Sequence, residues 1–171
     1  MKFLDFNNLN DLNKYINKIL LEVMKVVGKK AMNHLKSNIQ KYIYDYGDGQ
    51  RTNYLDGSGS PSKEFLNTPT NIVSANGNEV TAEIFSDTDR MSFNADKYMH
   101  GSNNWIVNDV RQWLPEILNE NLSGNLFGGN GNAWYQNREP YFDITVKELI
   151  DDGLALKWIK EELRNRGLDI V

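Results

Sequence analysis

The chain of 171 residues has no cysteine, which excludes disulfide staples and thiolate metal sites and leaves the redox compartment open. Histidine is scarce too: His34 and His100 are the two, with no His-Glu-X-X-His spacing and no second cluster of ligands around them. His34 falls on the apolar side of a long helical pattern, as a hydrogen-bonded core residue does, and His100 precedes Gly101 at a loop. There is no Gly-X-Ser-X-Gly elbow, and a thiol nucleophile is ruled out with the cysteines. No run approaches the roughly 18 apolar residues that a membrane span requires. The opening MKFLDFNNLN carries Lys2 and Asp5 within its apolar part, unlike a signal peptide. The expectation is a cytosolic protein without membrane contact, cofactor, metal or enzymatic activity. Net charge is small as well, −4 from 19 basic and 23 acidic residues, which speaks against tight nucleic-acid binding by the chain as a whole.

What is present is one domain, 1–171, long enough to bury about 70% of its unfolded surface. Its most regular stretch is 1–46, where Leu9 to Tyr46 reads as a long amphipathic helix. Leu12, Ile16, Ile19, Leu20, Val23 and Val27 share one face, and Lys14, Lys18, Lys25, Lys29 and Lys36 lie opposite. Asn7, Asn8 or Asn10 is placed to cap it. Beyond Gly28 the apolar residues Leu35, Ile39, Tyr42 and Ile43 drift around the wheel, which predicts a bend or a second partner for the last turns. Between Leu9 and Tyr46 seven lysines face three acids, a local +4 that leaves −8 for the remainder of a chain whose total is −4. The lysine stripe reads as a solvated face, as a match for an acidic neighbouring subunit, or as a surface facing passing DNA.

The segment 47–70 is thick with turn formers and reads as a long loop. In 71–100, Asn71 to Ser74 and Glu79 to Phe85 flank Ala75-Asn76-Gly77-Asn78, a hairpin signal, with Val80, Ala82 and Ile84 on one face. Tyr98-Met99-His100 is expected to add a third strand. The segment 105–134 holds a short helix that either begins near Pro115 or kinks there, and a Gly/Asn-rich insert, SGNLFGGNGN, which lacks the Lys and Ser/Thr of a phosphate loop. A C-terminal helix and tail occupy 138–171, with Asp151-Asp152-Gly153 a point where the helix divides. The class is α+β: long N-terminal and C-terminal helices packed on a small antiparallel sheet of three to four strands, with long loops. Tyr44, Tyr46, Tyr54, Trp105, Trp134, Tyr135 and Tyr141 read as aromatics outside regular elements, which either cap a core or anchor a partner. The acidic pairs Asp87/Asp89 and Asp151/Asp152 read as solvated surface.

Three motifs stand in a fixed order along this framework. Arg51-Thr52-Asn53-Tyr54-Leu55-Asp56-Gly57-Ser58 gives Arg-Thr-X-X-Leu-X-X-Ser in the loop after the long helix. Tyr98-Met99-His100-Gly101 follows the hairpin, and Arg138-Glu139-Pro140-Tyr141-Phe142 leads into the last helix. With the long first helix, this order resembles the tail-completion or neck proteins of long-tailed double-stranded-DNA bacteriophages, a family of head-tail connector and minor tail proteins. The departures are the 105–134 insert and the length of the 47–70 loop. The resemblance implies a non-enzymatic virion subunit, made in the host bacterial cytoplasm. It would form a ring, sixfold in the particle, at the head-tail junction, and complete or cap the tail for joining to the head. Its partners would be copies of itself, the head-closure or connector protein, and the tail terminator or tail tube protein; passing genomic DNA would be met only non-specifically. Tyr46, Arg51, Tyr54, Leu55 and Arg138 are the assembly contacts it implies. A tail-terminator subunit or a component of a phage-tail-like bacteriocin belongs to the same class. A DNA-binding adaptor using the lysine face and a small cell-wall hydrolase using Asp and Glu residues are readings from other classes.

Overall fold

The structure, a computed structural model, describes residues 8–45, 64–91, 112, 115, 116, 119 and 139–168. Its spine is helix α1, Leu9–Ile39. Asn8 caps it from an extended backbone, its Oδ1 accepting the Asp11 N–H at 3.0 Å, while Asp11 in the first turn and Lys36 in the last complement the helix dipole. At 31 residues the helix is about 46 Å long. It runs through Gly28 as continuous α-helix and ends in a π-helical turn, Gln40–Tyr44.

The buried aliphatic side chains of this spine form a ladder with a step of four: Ile19, Val23, Val27, Ala31, Leu35, Ile39 and Ile43. Each α-helical step overshoots a full turn by about 40°, so the five steps from Ile19 to Ile39 carry the buried line about 200° around the axis. One flat partner cannot cover such a line. The first three rungs pack with Leu163, and Tyr15, Leu20, Trp158, Ile159 and Leu168 close around them. Leu35, Ile39 and Ile43 instead meet Tyr44, Phe65, Met91 and Tyr141. The expected second partner for the last turns is therefore present. The wider π turn reduces the overshoot between Ile39 and Ile43 and keeps both in the same cluster. Burying side chains of this size stabilises by about 1.5–3 kcal/mol each.

Strands β1, Pro69–Asn76, and β2, Glu79–Ser86, make an antiparallel hairpin with Val73 opposite Ala82 and Asn71 opposite Ile84. Gly77 takes φ +59, the left-handed region that primed two-residue turns require. Alternation is as expected over Val80 to Ile84: Val80, Ala82 and Ile84 are half-buried, Thr81 and Glu83 exposed. The hairpin lies on α1, its turn held by Asn17 Nδ2 donating to Gly77 O at 3.0 Å. Before β1, the end of the segment read as loop is a 3-10 turn, Glu64–Asn67, and Phe65 within it is fully buried.

The C-terminal helical stretch divides where expected, at Asp151 to Gly153, into α2, Tyr141–Ile150, and α3, Leu154–Asn165. Both pack on α1 and run antiparallel to it, Tyr141 near Ile39 and Leu163 near Ile19. At the end of α3, Leu168 N donates to Leu163 O and Gly167 N to Arg164 O, a Schellman stop with Gly167 at φ +80. The α+β class thus stands with a long first helix, two C-terminal helices and a two-stranded sheet. The segment of the expected third strand, Tyr98 to His100, and most of the 105–134 insert lie outside the described residues.

Candidate assembly surfaces

The expected contacts Tyr46, Arg51, Tyr54, Leu55 and Arg138 all lie outside the described residues, as do Trp105, Trp134 and Tyr135. Two other aromatics read as loop residues are placed differently. Tyr44 sits in the π turn and is 7% exposed; Tyr141 is the first residue of α2 and fully buried. Tyr141 stands edge-on to Phe65, ring centroids 6.0 Å apart, and its hydroxyl reaches Pro115 O at 3.4 Å. Burial pushes its phenol well above the usual range, the Ser86 hydroxyl working against this and the Asp143 carboxylate adding to it. Both tyrosines serve the core rather than a partner. The next residue, Phe142, is partly exposed and starts a row with Val146 and Ile150 on the outer face of α2.

The five lysines of the stripe are the candidate residues the structure does describe. Lys14, Lys18, Lys25 and Lys29 are exposed and Lys36 half-buried. The hairpin covers one flank of α1 and the pair α2–α3 another, and the stripe occupies the sector left open. The two remaining lysines of this region point elsewhere and are engaged. Lys30 Nζ lies 3.0 Å from Glu162 Oε1, and Lys41 Nζ lies 2.8 Å from the Tyr42 hydroxyl. Glu162 also takes Arg166 Nη1 at 2.8 Å, and Arg166 Nε stands 3.9 Å from Glu22. Arg166 first and Lys30 second hold the Glu162 carboxyl below its ordinary value.

A polar cluster that the sequence reading did not assemble joins α1 to α2. Asn38, 5% exposed, donates through Nδ2 to Thr145 Oγ1 at 2.9 Å and to Glu148 Oε2 at 2.8 Å. Thr145 in turn donates to Tyr141 O at 2.7 Å. His34 Nε2 is 2.8 Å from the same Glu148 oxygen, so the ring donates there to a carboxylate, and its edge meets Trp158 at 6.2 Å between centroids. The Asn38 bond is the main cause that lowers the Glu148 carboxyl, with His34 adding to it and desolvation opposing. His34 is hydrogen-bonded as expected but half-buried at the helix contact rather than in the core. The signal for its neighbour was available: Asn38 follows His34 by four residues, among the ladder positions Leu35 and Ile39.

This cluster is an interhelical lock between α1 and α2. Among the described residues no group of three His, Asp or Glu could hold a metal ion, and no helix is long and apolar enough to cross a membrane. Of the acidic pairs, Asp87 is bridged to Arg90 at 3.1 Å and Asp152 to Lys147 at 3.4 Å. Comparison with family models, curated proteins and solved structures returns no match.

Proposed function

We propose that the protein is a structural subunit of a bacteriophage neck, assembling into a ring at the head-tail junction and completing the tail for attachment of the head. The observation that carries this reading is the position of Pro140-Tyr141-Phe142. In the resembling family the Arg-X-Pro-aromatic-aromatic motif leads into the last helix. In this chain Pro140 precedes the first turn of α2 and Tyr141 closes the core at the far end of α1. The Pro-aromatic-aromatic part of the motif thus has a physical task at the start of the first of the two C-terminal helices, and this supports the reading. An amphipathic first helix and an Asn-Gly hairpin, in the same order, support the reading too.

A ring needs two different surfaces on each subunit that match one another. The outer row of α2, Phe142, Val146 and Ile150, and the segment bearing Tyr46, Arg51, Tyr54 and Leu55 are the candidates, with Arg138 for an intersubunit ion pair. The reading carries with it a third strand at Tyr98 to His100 beside the hairpin, sixfold symmetry, and the head-closure protein and tail terminator or tube as neighbours. The test is the mass of the purified protein alone and with tail tubes. Rings on tubes from a monomeric stock are expected; a monomer that ignores tubes overturns the reading. Deleting Asp48 to Ser60 in the phage is expected to abolish head-tail joining, and unchanged particle yield would remove that segment from the joint.

A further inference from the structure

The lysine stripe has a geometry that a merely solvated helix face does not need. Lys14, Lys25 and Lys36 recur every eleven residues, and so do Lys18 and Lys29. Eleven residues make three turns with a drift of only about 20°, so all five fall within a sector of about 60°, in a straight row about 33 Å long. The row keeps its direction while the buried ladder winds past it. Of the seven lysines between Leu9 and Asp45, the two off the row are engaged, Lys30 by Glu162 and Lys41 by Tyr42. None of the five on it has an acidic partner among the described residues. The carboxylates bordering the row are Asp11 in the first turn and Glu22, which is turned towards Arg166.

We infer that this row is a landing surface for the phosphate backbone of duplex DNA. Its length is close to one duplex turn, about 34 Å, along which charges are spaced at about 1.7 Å. Lysines are compact, rotatable point charges without the planar fork of arginine, suited to diffuse attraction rather than to base reading. Within α1 the row's sector holds Asp11 and Met32 besides the lysines but no aromatic ring, so a stacking platform for single strands is missing. The apolar side of α1 is already occupied by its own core, so no face is left to enter a lipid surface. The exposed carboxylates among the described residues are scattered over α1 and the end of its π turn (Glu22, Asp45), the hairpin, the 3-10 turn Thr88–Arg90, Glu116, Glu139 and the C-terminal helices. Among the described residues they form no row that would match the lysines on a second copy. For its biological setting the inference rests on the neck reading, to which it adds the side of the subunit that faces the DNA path.

The test is binding of the purified full chain to a labelled random-sequence duplex, followed over a salt series by fluorescence anisotropy. Five phosphate contacts give a log–log slope of about −4.5, roughly a twentyfold loss of affinity for each doubling of salt. Replacing Lys14, Lys18, Lys25 and Lys29 with Gln, which keeps helix propensity nearly unchanged, is expected to reduce the slope to about −1. Replacing Lys147, Lys157 and Lys160 with Gln is expected to leave it unaltered, and helical circular dichroism checks that both variants fold. No binding at low salt, or a slope unaffected by the four substitutions, overturns the inference. So does a result in which the row drives association of the protein with itself and duplex does not compete. A wild-type chain that forms rings on tail tubes but ignores duplex removes the inference and leaves the neck reading standing. One that binds duplex but ignores tubes does the reverse.

Discussion

A Cβ placed on Gly28 would lie 2.9 Å from Asn71 Nδ2 and 3.5 Å from the Ala82 Cβ, so the missing side chain is what lets the hairpin settle on α1. The nearer atom is the end of a side chain that can turn aside, and alanine would gain about 1 kcal/mol of helix propensity. Gly28→Ala is therefore expected to change stability by less than about 1 kcal/mol, whereas Gly28→Val should destabilise by about 1–3 kcal/mol. Adding Asn71→Ser to Gly28→Ala should recover most of the helix gain. Urea unfolding of the four chains checks this; strict additivity would mean that the two residues do not compete for space.

Asn38 holds one end of the lock between α1 and α2. Asn38→Leu deprives Thr145 and Glu148 of a donor at a buried helix contact, and a loss of about 1–3 kcal/mol is expected. Asn38→Asp should be worse at neutral pH, since it sets a second carboxylate against Glu148. Equilibrium unfolding of the two variants ranks them, and equal stabilities would show that the bond to Glu148 is idle.

The Glu148 and Glu162 carboxyls are both held below their ordinary values in the folded chain. A carboxyl lowered on folding contributes stability above its unfolded value, and that contribution is lost as pH falls through the folded one. Stability should therefore decline on acidification from about pH 5 downwards. Glu148→Gln should flatten part of this acid limb while changing little of its shape above pH 6. Thermal midpoints between about pH 3 and 7 for the two chains measure it; identical slopes would show that Glu148 is not linked to folding.

Tyr141 is a core residue with a weakly held hydroxyl. Tyr141→Phe keeps the edge contact with Phe65 and gives up one long bond to Pro115, so a change within about 1 kcal/mol is expected. Tyr141→Ala empties the site and should cost about 3–5 kcal/mol. A partner-binding role for Tyr141 would invert this pattern, with normal unfolding and lost assembly.

The long helix was legible because its apolar period persists over eight turns, and the hairpin because Asn76-Gly77 separates β-branched runs. Asn8 and the Asp151–Gly153 break were legible for the same kind of local reason, a cap and a turn former at the edge of a pattern. Tyr44 and Tyr141 were misplaced because both border segments rich in turn residues, and such borders do not say which way a ring faces. Phe65 was hidden similarly, one apolar residue in a polar stretch that a 3-10 turn aims inward. The Asn38–Thr145–Glu148 contact spans more than 100 residues, so no local pattern could register it. The lysine row was visible, but not that Lys30 and Lys41 would be taken up elsewhere and leave five lysines in line.

Because the buried ladder winds about 200° while advancing along α1, the spine works like a camshaft. The angle between what it presents near Ile19 and what it presents near Ile43 is set by the number of residues between them. Removing one residue between Val27 and Leu35 would rotate everything beyond it by about 100° and set the contacts of Leu35 and Ile39 with Phe65 and Tyr141 out of phase with those of Ile19 and Val23 with Leu163. Adding seven would turn it by only about 20°. Length changes in this helix should thus be accepted only in whole near-turn increments, and each accepted increment would re-aim one end of the molecule relative to the other.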